Sequence, residues 1–367
     1  MKIMGQQGNT KQTNRQGMKT GWKFWGLLVL LFCLSFPLTG CNEKQNETYI
    51  PGTVLAETGT SIEIVDMAGR VVTVPKNSES YAFVYRVVAR FLISLDCEDG
   101  IVGAGKTEEF LNLIAPRLSE VPSIGQGVVD MEALAEVNPD VFFHKAGDVK
   151  TMEAVEKLGI PSVGLLFETP DDMLTALKIM GIICNSKEKA DALINYYHQK
   201  INEQQDRVSV LGDAEKKTAI MMGTSIGKVA DQTMLQSNMI EAAGGINPAS
   251  DVEATELWPT VGVEEIFGWN PDYIFITNSQ SATYTVEDLL SDPAWSALKA
   301  IKNKHVYVMP ATVDSWEFPG VVSVLGTDYM IRTMYPDIMS DAELVDAVNA
   351  FYELSYGIVF SRNELGY

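Results

Sequence analysis

Short apolar runs alternate with segments of helical periodicity along most of this chain. Runs rich in β-branched and aromatic residues predict strands at residues 82–85, 101–104, 141–144, 162–166, 218–222, 273–277 and 306–309. Between them, apolar residues spaced three and four apart predict helices over 86–95, 130–137, 151–158, 170–184, 187–211, 232–243, 262–268, 319–334 and 340–354. Strands that alternate with helices in this way favour an α/β fold with mainly parallel sheets.

Two further patterns stand apart from this alternation. Ile62–Val65 and Val71–Pro75 flank the turn Asp66-Met67-Ala68-Gly69-Arg70, which predicts a β-hairpin. The helix over 187–211 is long: its 25 residues extend about 37 Å at 1.5 Å per residue. Because it lies near the middle of the chain, it is well placed to join two domains.

The first forty-one residues have the pattern of an export signal. Lys19 and Lys23 precede an apolar run at 27–34, and Leu38-Thr39-Gly40-Cys41 closes it. A basic segment, a short apolar segment and small residues before a cleavage point predict a secretory signal over residues 1–40. An uncleaved membrane anchor is the alternative, but the apolar stretch is shorter than the ~20 residues that span a bilayer. Met18, just before the basic segment, is an alternative start.

Composition and charge narrow the possible partners. Residues 1–40 hold five basic and no acidic side chains, which leaves 23 basic and 48 acidic residues in the rest of the chain. A nucleic-acid partner is therefore not expected, since phosphate binding needs a basic face.

The length of the chain after residue 40 suggests two domains of ordinary size. Residues 41–58 are polar and predict a flexible tether.

Cysteine and histidine are scarce. Cys33 leaves with the signal, so only Cys97 and Cys184 remain in the predicted globule, either as two buried thiols or as one disulfide. The chain has three histidines, His144, His198 and His305, which argues against a multi-histidine site for a free metal ion. We predict no metal ligands and no permanently bound cofactor.

A short internal repeat links the two halves of the chain. Glu132 is followed by Pro139-Asp140 and a strand, and Glu264 by Pro271-Asp272 and a strand, with the same spacing. A glutamate suits the start of a helix because of the helix dipole, and proline marks its end. The repeat indicates either two similar lobes or two unrelated units with the same capping residues.

Together these segments resemble the periplasmic-binding proteins for iron complexes and cobalamin, the substrate-binding components of ABC importers. The resemblance covers roughly residues 60–335. It rests on Cys41 as a lipidated cysteine, on residues 66–75, on the two Glu…Pro-Asp units, and on Asp292-Pro293-Ala294-Trp295 with Val306–Pro310. It implies an extracytoplasmic, lipid-anchored, monomeric and non-enzymatic protein that works with a permease and its ATPase.

The resemblance also implies an architecture: two doubly wound, Rossmann-like α/β lobes linked by one long helix. The expected boundaries are a lipidated tether over 41–58, an N-terminal lobe over 59–168, a helical segment over 169–212 containing the interlobe helix 187–211, and a C-terminal lobe over 213–367. A small-molecule ligand is expected in the cleft between the lobes.

Glu132 and Glu264 are implied to dock on arginines of the permease, one glutamate on each lobe. A carboxylate pairs bidentately with a guanidinium group, and two separated pairs set orientation as well as attraction. Complementing the helix dipole is the alternative role for both residues. Glu265, next to Glu264, is an alternative for the second position.

Candidate ligand contacts follow the carboxyl ends of the predicted strands, where α/β sheets bind their ligands. Trp258 matches a ligand-facing aromatic of the cobalamin-binding relatives, whereas Gln126 stands at the matching first-lobe position. Arg86, Lys106 and Lys145 make the first-lobe side basic, which favours an anionic chelate. The principal ligand-binding candidates are Tyr85, Arg86, Lys106, Gln126, Lys145, Trp258, Asn278 and Trp316. Further candidates are Thr107, His144, Thr224, Ser225, Ser279 and residues 314–318.

Each of these candidates has a plainer alternative. The basic residues could be solvated loop charges, Trp258 and Trp316 could be core aromatics, and His144 could be a satisfied polar residue at a strand end.

The chain has no catalytic motif such as Gly-x-Ser-x-Gly, Cys-x-x-Cys or His-Glu-x-x-His, and we predict no catalytic residues. The leading function is capture of a ferric siderophore, haem or a corrinoid. Oxyanion binding, or a sensor, adhesin or enzyme on a related scaffold, is the alternative.

Overall fold

The computed structural model describes residues 49–365, apart from residues 106, 108, 254–255, 280 and 312–314. The predicted signal, Cys41 and Lys106 therefore lie outside the described residues. None of the described helices combines the length and the hydrophobicity that a transmembrane helix needs.

The strands and helices follow the predicted alternation closely. The strands are β1 (Val54–Glu57), β2 (Ser61–Val65), β3 (Val71–Pro75), β4 (Tyr81–Phe83), β5 (Ile101–Ala104), β6 (Gly125–Gln126), β7 (Val128–Val129), β8 (Val141–Lys145), β9 (Ser162–Leu165), β10 (Ala219–Met222), β11 (Tyr273–Ile276) and β12 (Val306–Val308). The helices are α1 (Val87–Ser94), α2 (Glu109–Ile114), α3 (Met131–Val137), α4 (Val149–Glu156), α5 (Pro170–Ile183), α6 (Lys187–Val208), α7 (Leu235–Ala242), α8 (Val263–Trp269), α9 (Val286–Ser291), α10 (Lys299–Lys302), α11 (Ser323–Met334), α12 (Asp341–Tyr356) and α13 (Arg362–Leu365).

Two parallel sheets wind in the same order. In the first, β4 pairs with β5 on one side and with β8 on the other, which gives the order β5-β4-β8-β9. The second has the order β10-β11-β12, and Ile246 forms a parallel bridge to Thr218 at the start of β10. Ile246 thus takes the place that β5 has in the first sheet. The prediction of two doubly wound α/β lobes is confirmed.

The internal repeat has the same structural role in both lobes. Helices α3 and α8 are followed directly by Asn138 and Asn270, which both adopt the left-handed conformation. The carboxylate of Asp140 then accepts the backbone N–H of Ser80, just before β4, at 3.0 Å. Asp272 accepts the N–H of Thr218, just before β10, at the same distance. The capping residues of the repeat are therefore shared because the lobes are built alike.

The turn Asp66–Arg70 fastens the hairpin to the first sheet. Asp66 is completely buried, and its Oδ2 accepts hydrogen bonds from Arg70 Nη2 at 2.7 Å and from the backbone N–H of Gly164 in β9 at 3.0 Å. Arg70 also donates to the carbonyl of Ser162 at 2.8 Å. This network pairs a buried carboxylate with a guanidinium group, as buried charge requires.

Helix α6 joins the two lobes in chain order. Its first half packs on α5 through Ala190, Leu193 and Tyr197, which are buried. In its second half the buried Gln204 donates at 2.8 Å to Asp328 Oδ1 on α11, which explains why a polar residue completes the apolar stripe. The helix ends at Val208, three residues before the predicted end.

Two domain boundaries differ from prediction. The predicted tether extends to residue 58, but Val54–Glu57 forms β1, paired antiparallel with β2. Its side chains are mostly exposed although three of its four residues are apolar, so its pairing with β2 rather than burial holds this strand. Helix α12 falls within the predicted C-terminal lobe, yet it returns to the first lobe. There Tyr356 contacts Phe110 of α2, with ring centroids 6.2 Å apart, and its hydroxyl lies 3.3 Å from Ser94 Oγ of α1. The other boundaries stay predictions.

Candidate ligand cleft and docking carboxylates

A cleft of about 420 Å³ lies at the carboxyl ends of both parallel sheets. Segments after β4, β8 and β9 line one side, and segments after β10, β11 and β12 line the other. The lining residues are Tyr85, Arg86, Val87, Lys145, Phe167, Glu168, Thr224, Lys228, Met234, Leu235, Gln236, Leu257, Trp258, Thr277, Ser279, Phe318 and Pro319. Its volume falls within the roughly 300–1,000 Å³ of small-molecule sites.

Basic and aromatic side chains meet in this cleft. The guanidinium carbon of Arg86 lies 4.9 Å from the ring centre of Phe318, which brings residues of the two lobes together. The ammonium group of Lys145 lies 4.7 Å from the ring centre of Tyr85. Both distances fit cation–π contacts. Arg86 and Lys145 are exposed, so each can turn its charge toward a ligand.

The tyrosine of this cleft stays protonated. Burial, with a smaller contribution from the negative charge of Glu168, raises the pKa of Tyr85 to about 12, and the positive charge of Arg86 opposes that rise. The ring of Tyr85 packs edge-on against Phe167, with centroids 5.6 Å apart. Tyr85 therefore offers an aromatic face and a neutral hydroxyl donor rather than a phenolate.

Trp258 is held against the second lobe by an unusual backbone. Its φ is 61°, a left-handed conformation that tryptophan rarely adopts. A Cβ atom at Gly223, directly after β10, would lie 2.9 Å from the indole ring, so only glycine leaves room for it. Lys228 donates to the carbonyl of Trp258 at 3.2 Å and pairs with Glu256 at 3.3 Å. Strained backbone held by neighbouring contacts is typical of binding sites.

The structure brings four of the principal ligand candidates into the cleft: Tyr85, Arg86, Lys145 and Trp258. Three others do not line it. Trp316 is buried and packs edge-on against Tyr329 of α11, so it is a core aromatic. The amide of Asn278 donates to the carbonyl of Met309 at 3.1 Å, and Gln126 is exposed on the β6–β7 hairpin.

His144 is a buried polar residue at the end of β8, with one ring nitrogen hydrogen-bonded and the other, Nδ1, buried without a hydrogen-bond partner among the described residues. It is buried, and its Nε2 lies 3.0 Å from Asp148 Oδ2. This hydrogen bond is the largest cause that lowers the pKa of Asp148. In the part of the chain that the structure describes, no group of three or more His, Cys, Asp or Glu residues is arranged to hold a metal ion.

Some cleft residues are absent from the sequence-based candidates. Phe167 and Glu168 directly follow β9 and obey the strand-end rule that finds Tyr85, so the sequence does carry a signal for them. Lys228 lies in the loop after β10 rather than at the end of a strand. There Lys228 forms an antiparallel bridge with Thr260, and its neighbour Val229 forms one with Met222. Nothing in the sequence marks that position.

Glu132 and Glu264 occupy the same position in equivalent helices. In α3, Asp130 caps the helix through its Oδ1, 3.1 Å from the N–H of Glu132. In α8, the side chain of Glu265 accepts a hydrogen bond from the N–H of Gly262, the N-cap residue, at 2.9 Å. Glu265 is therefore already engaged in capping its own helix. Glu132 and Glu264 are exposed and form no side-chain hydrogen bond or ion pair with the described residues. The cap thus selects Glu264 over Glu265 as the candidate docking residue.

A buried carboxyl group lies directly behind the cleft. Glu317 is completely buried next to Phe318, and its Oε1 accepts hydrogen bonds from Thr277 Oγ1 at 3.0 Å and from the N–H of Asn278 at 2.7 Å. Burial raises the pKa of Glu317 to about 7, against the opposing effects of these hydrogen bonds and of the positive charge of Arg90. The folded protein therefore holds this proton up to nearly neutral pH.

We expect Glu317→Gln to stabilise the protein at alkaline pH. The unfolded carboxyl group loses its proton near the ordinary glutamate pKa of 4.5, whereas the folded one keeps it until about pH 7. The free energy of unfolding therefore falls as pH rises from 4.5 to 7, by up to about 3 kcal/mol. The variant should match the parent near pH 4 and exceed it at pH 8 in urea denaturation. The exposed Glu353→Gln is the control, and parallel pH profiles for parent and Glu317→Gln would contradict the expectation.

Comparison with known proteins identifies the class. Residues 82–313 match the family described as periplasmic binding protein. The Molybdate-binding protein MolA of Haemophilus influenzae is 22% identical over 321 residues, which cover 80% of this chain and 90% of MolA. The Fe(3+)-citrate-binding protein YfmC of Bacillus subtilis is 25% identical over 81% of this chain and 91% of its own. A solved periplasmic solute binding protein from Veillonella parvula has a TM-score of 0.70 and 26% identity, covering 83% of this chain and 95% of its own.

The family match spans more than half of the chain and covers residues of both parallel sheets, from β4 to β12. It confirms the resemblance stated from the sequence. Its members are binding components of transport systems outside the cytoplasm rather than enzymes, which confirms the prediction of a non-enzymatic protein. The chain belongs to the periplasmic binding protein family.

Proposed function

We propose that this protein is the substrate-binding lipoprotein of an ABC importer and captures an anionic metal chelate in the cleft between its lobes. The cleft itself carries the proposal: Arg86, Lys145 and Lys228 face it against one acidic side chain among its described lining residues, Glu168. The rest of the protein is strongly acidic. A basic cleft in an acidic protein selects a negatively charged ligand.

The aromatic lining supports a chelate with flat or apolar parts. Tyr85, Phe167, Trp258 and Phe318 all line the cleft and offer ring faces or edges. Haem and carboxylate- or catecholate-bearing ferric siderophores combine such surfaces with negatively charged oxygens that basic side chains bind, and corrinoids with a nucleotide loop offer a phosphate instead. The name of YfmC, a binding protein for ferric citrate, supports the same ligand class.

Molybdate is the second candidate, because MolA is among the relatives that this chain resembles over most of its length. A tetrahedral oxyanion needs a small pocket with closely spaced donors. A cleft of about 420 Å³ with four aromatic side chains is larger and less polar than that requirement. These properties favour the chelate. A sensor or adhesin that keeps the scaffold without transport is the remaining alternative.

The proposed route of delivery uses Glu132 and Glu264. Helices α3 and α8 each lead into the start of a strand, so their N-termini point toward the carboxyl ends of the strands, where the cleft lies. Each lobe thus presents one unpartnered carboxylate on the side of the cleft. Arginines of a permease could pair with both at once and hold the cleft over the translocation path.

Membrane attachment completes the proposal. Acylation of Cys41 would fix the protein to the outer face of the cell membrane, and the polar residues that follow Cys41 would tether the globule. The acidic globule would be repelled by anionic lipid headgroups and stay clear of the surface. We propose a monomer without a permanent cofactor, with the permease, its ATPase and the ligand as partners.

Tryptophan fluorescence tests the ligand class. Trp258 lines the cleft, whereas Trp295 and Trp316 are buried elsewhere and Trp269 lies on α8. The chain from residue 42 onward would be titrated with ferric citrate, ferric siderophores, haem, cobalamin and molybdate. We expect saturable quenching by one of the metal chelates.

Two conservative variants assign the signal to the cleft. Trp258→Phe should lose most of the quenching yet keep measurable affinity in equilibrium dialysis, because an aromatic face remains. The matched control Trp269→Phe should behave like the parent. Saturation by molybdate alone would replace the chelate proposal with the oxyanion one. Absence of any response, with no binding in dialysis, would refute ligand capture from this panel.

A further inference from the structure

The two cysteines of the globule lie against each other, although 87 residues separate them in sequence. Cys97 follows α1 and is half-buried, whereas Cys184 ends α5 and is buried. The Cys97 Sγ atom lies 3.9 Å from the carbonyl oxygen of Cys184. The chain holds four cysteines in all, and two of them precede the globule. Both cysteines of the globule therefore meet at one place in the first lobe.

Neighbouring contacts hold both segments in place. Ser186 Oγ donates to the carbonyl of Leu95 at 2.7 Å, and Lys189 pairs with Asp96 at 3.1 Å. These bonds join the residues just before Cys97 to those that follow Cys184. Because these bonds fasten the two backbones together, the two thiols are held within reach of each other.

The two thiols also differ in reactivity in the way that a disulfide-forming pair requires. A hydrogen bond with the thiol of Cys184 lowers the pKa of Cys97, with burial and the nearby Glu98 and Asp96 opposing. Burial raises the pKa of the Cys184 thiol well above its ordinary value. Cys97 is thus the more accessible and the more readily ionised thiol, and thiolates are the attacking species in exchange reactions.

We propose that Cys97 and Cys184 form a disulfide bond in the extracytoplasmic compartment and so tie the end of α1 to the end of α5. The Cys97 thiolate attacks a disulfide-bearing oxidant and forms a mixed disulfide. The Cys184 thiolate then displaces the oxidant, which leaves as a dithiol. The cysteine pair gives up two protons and two electrons, and the disulfide of the oxidant takes up both electrons and both protons as it becomes the dithiol. The inference requires an oxidising location but not any particular ligand.

Peptide mapping of the protein isolated from intact cells tests the proposal. Cells would be quenched with an excess of alkylating reagent, and the full-length protein would be denatured and digested with trypsin without reduction. Cleavage after Arg90 and Lys178 releases residues 91–106, which hold Cys97, and residues 179–187, which hold Cys184. We expect most of the protein to give these two peptides as one linked species. Predominance of the separate, alkylated peptides would overturn the proposal.

Thermal unfolding gives an independent readout. Closing a loop of this length stabilises a protein chiefly by restricting its unfolded chain. Reduction of the parent protein should therefore lower its Tm by about 5 °C or more. Reduction should leave the Tm of Cys97→Ser unchanged, since that variant cannot form the bond. Equal Tm values for the parent with and without reductant would count against the disulfide, whereas the ligand titrations would stand unaffected.

Discussion

Replacement of both Glu132 and Glu264 with alanine is expected to reduce ligand uptake by cells at least tenfold and to leave ligand affinity unchanged. Both carboxylates are exposed at the second position of their helices and have no side-chain partner among the described residues. Their removal therefore costs the fold little, but it removes both proposed ion pairs with the permease. Two charge pairs lost from one interface weaken orientation as well as attraction.

The control uses two other exposed glutamates of the same lobes. Glu136 lies on α3, one turn beyond Glu132, and Glu287 lies on α9 in the second lobe. Glu136→Ala/Glu287→Ala changes the net charge equally and should transport like the parent. Uptake that survives in Glu132→Ala/Glu264→Ala would refute docking through these residues. Equal loss in both double variants would assign the effect to net charge alone.

Reversal of charge at Arg86 and Lys145 is expected to lower ligand affinity by about 100-fold or more. A hydrogen bond to a charged group contributes about 1.5–3 kcal/mol, and each 1.4 kcal/mol is a factor of ten in the dissociation constant. Arg86→Glu/Lys145→Glu removes two such contacts and places two carboxylates opposite an anionic ligand. Equilibrium dialysis with the ligand found by titration would measure the loss.

A matched charge reversal on the same lobe separates local contacts from overall charge. Lys150 on α4 and Lys157 just after it are exposed and form no ion pair among the described residues. Lys150→Glu/Lys157→Glu makes the same change in net charge at two residues that do not line the cleft. We expect its affinity to stay within about twofold, because neither side chain contacts the cleft and exposed charges are screened at physiological salt. Unchanged affinity in Arg86→Glu/Lys145→Glu would refute an anionic ligand in this cleft.

Hydrophobic periodicity predicts both parallel sheets because their strands are buried on both faces. All four residues of Tyr273–Ile276 are buried, and so are all four of Ala219–Met222. Such strands appear as continuous apolar runs. The prediction fails at Val54–Glu57, a mostly exposed strand at the edge of the hairpin sheet that is held by backbone pairing with β2 although three of its four residues are apolar.

The ligand cleft is only partly predictable, because a strand-end rule locates a loop but not the direction of each side chain. Arg86 and Trp316 both lie in such loops, yet Arg86 faces the cleft and Trp316 packs on Tyr329. The outcome at Trp316 depends on α11, whose position the sequence pattern does not give. Trp258 faces the cleft because Gly223 leaves space for its ring, a contact across 35 residues that periodicity cannot reveal.

The contact of α12 with the first lobe affects how ligand uptake would depend on the amounts of binding protein and ligand. Tyr356 contacts Phe110, and α6 is bonded to α11 through Gln204, so the two lobes are joined at more than one place. Large rotations between them are therefore disfavoured, and we expect Glu132 and Glu264 to keep nearly the same separation with and without ligand. Empty and loaded protein would then compete for the same permease. Uptake would then follow the loaded fraction of the protein, so that copies made beyond the number that saturates the permease would not raise import at a given ligand concentration.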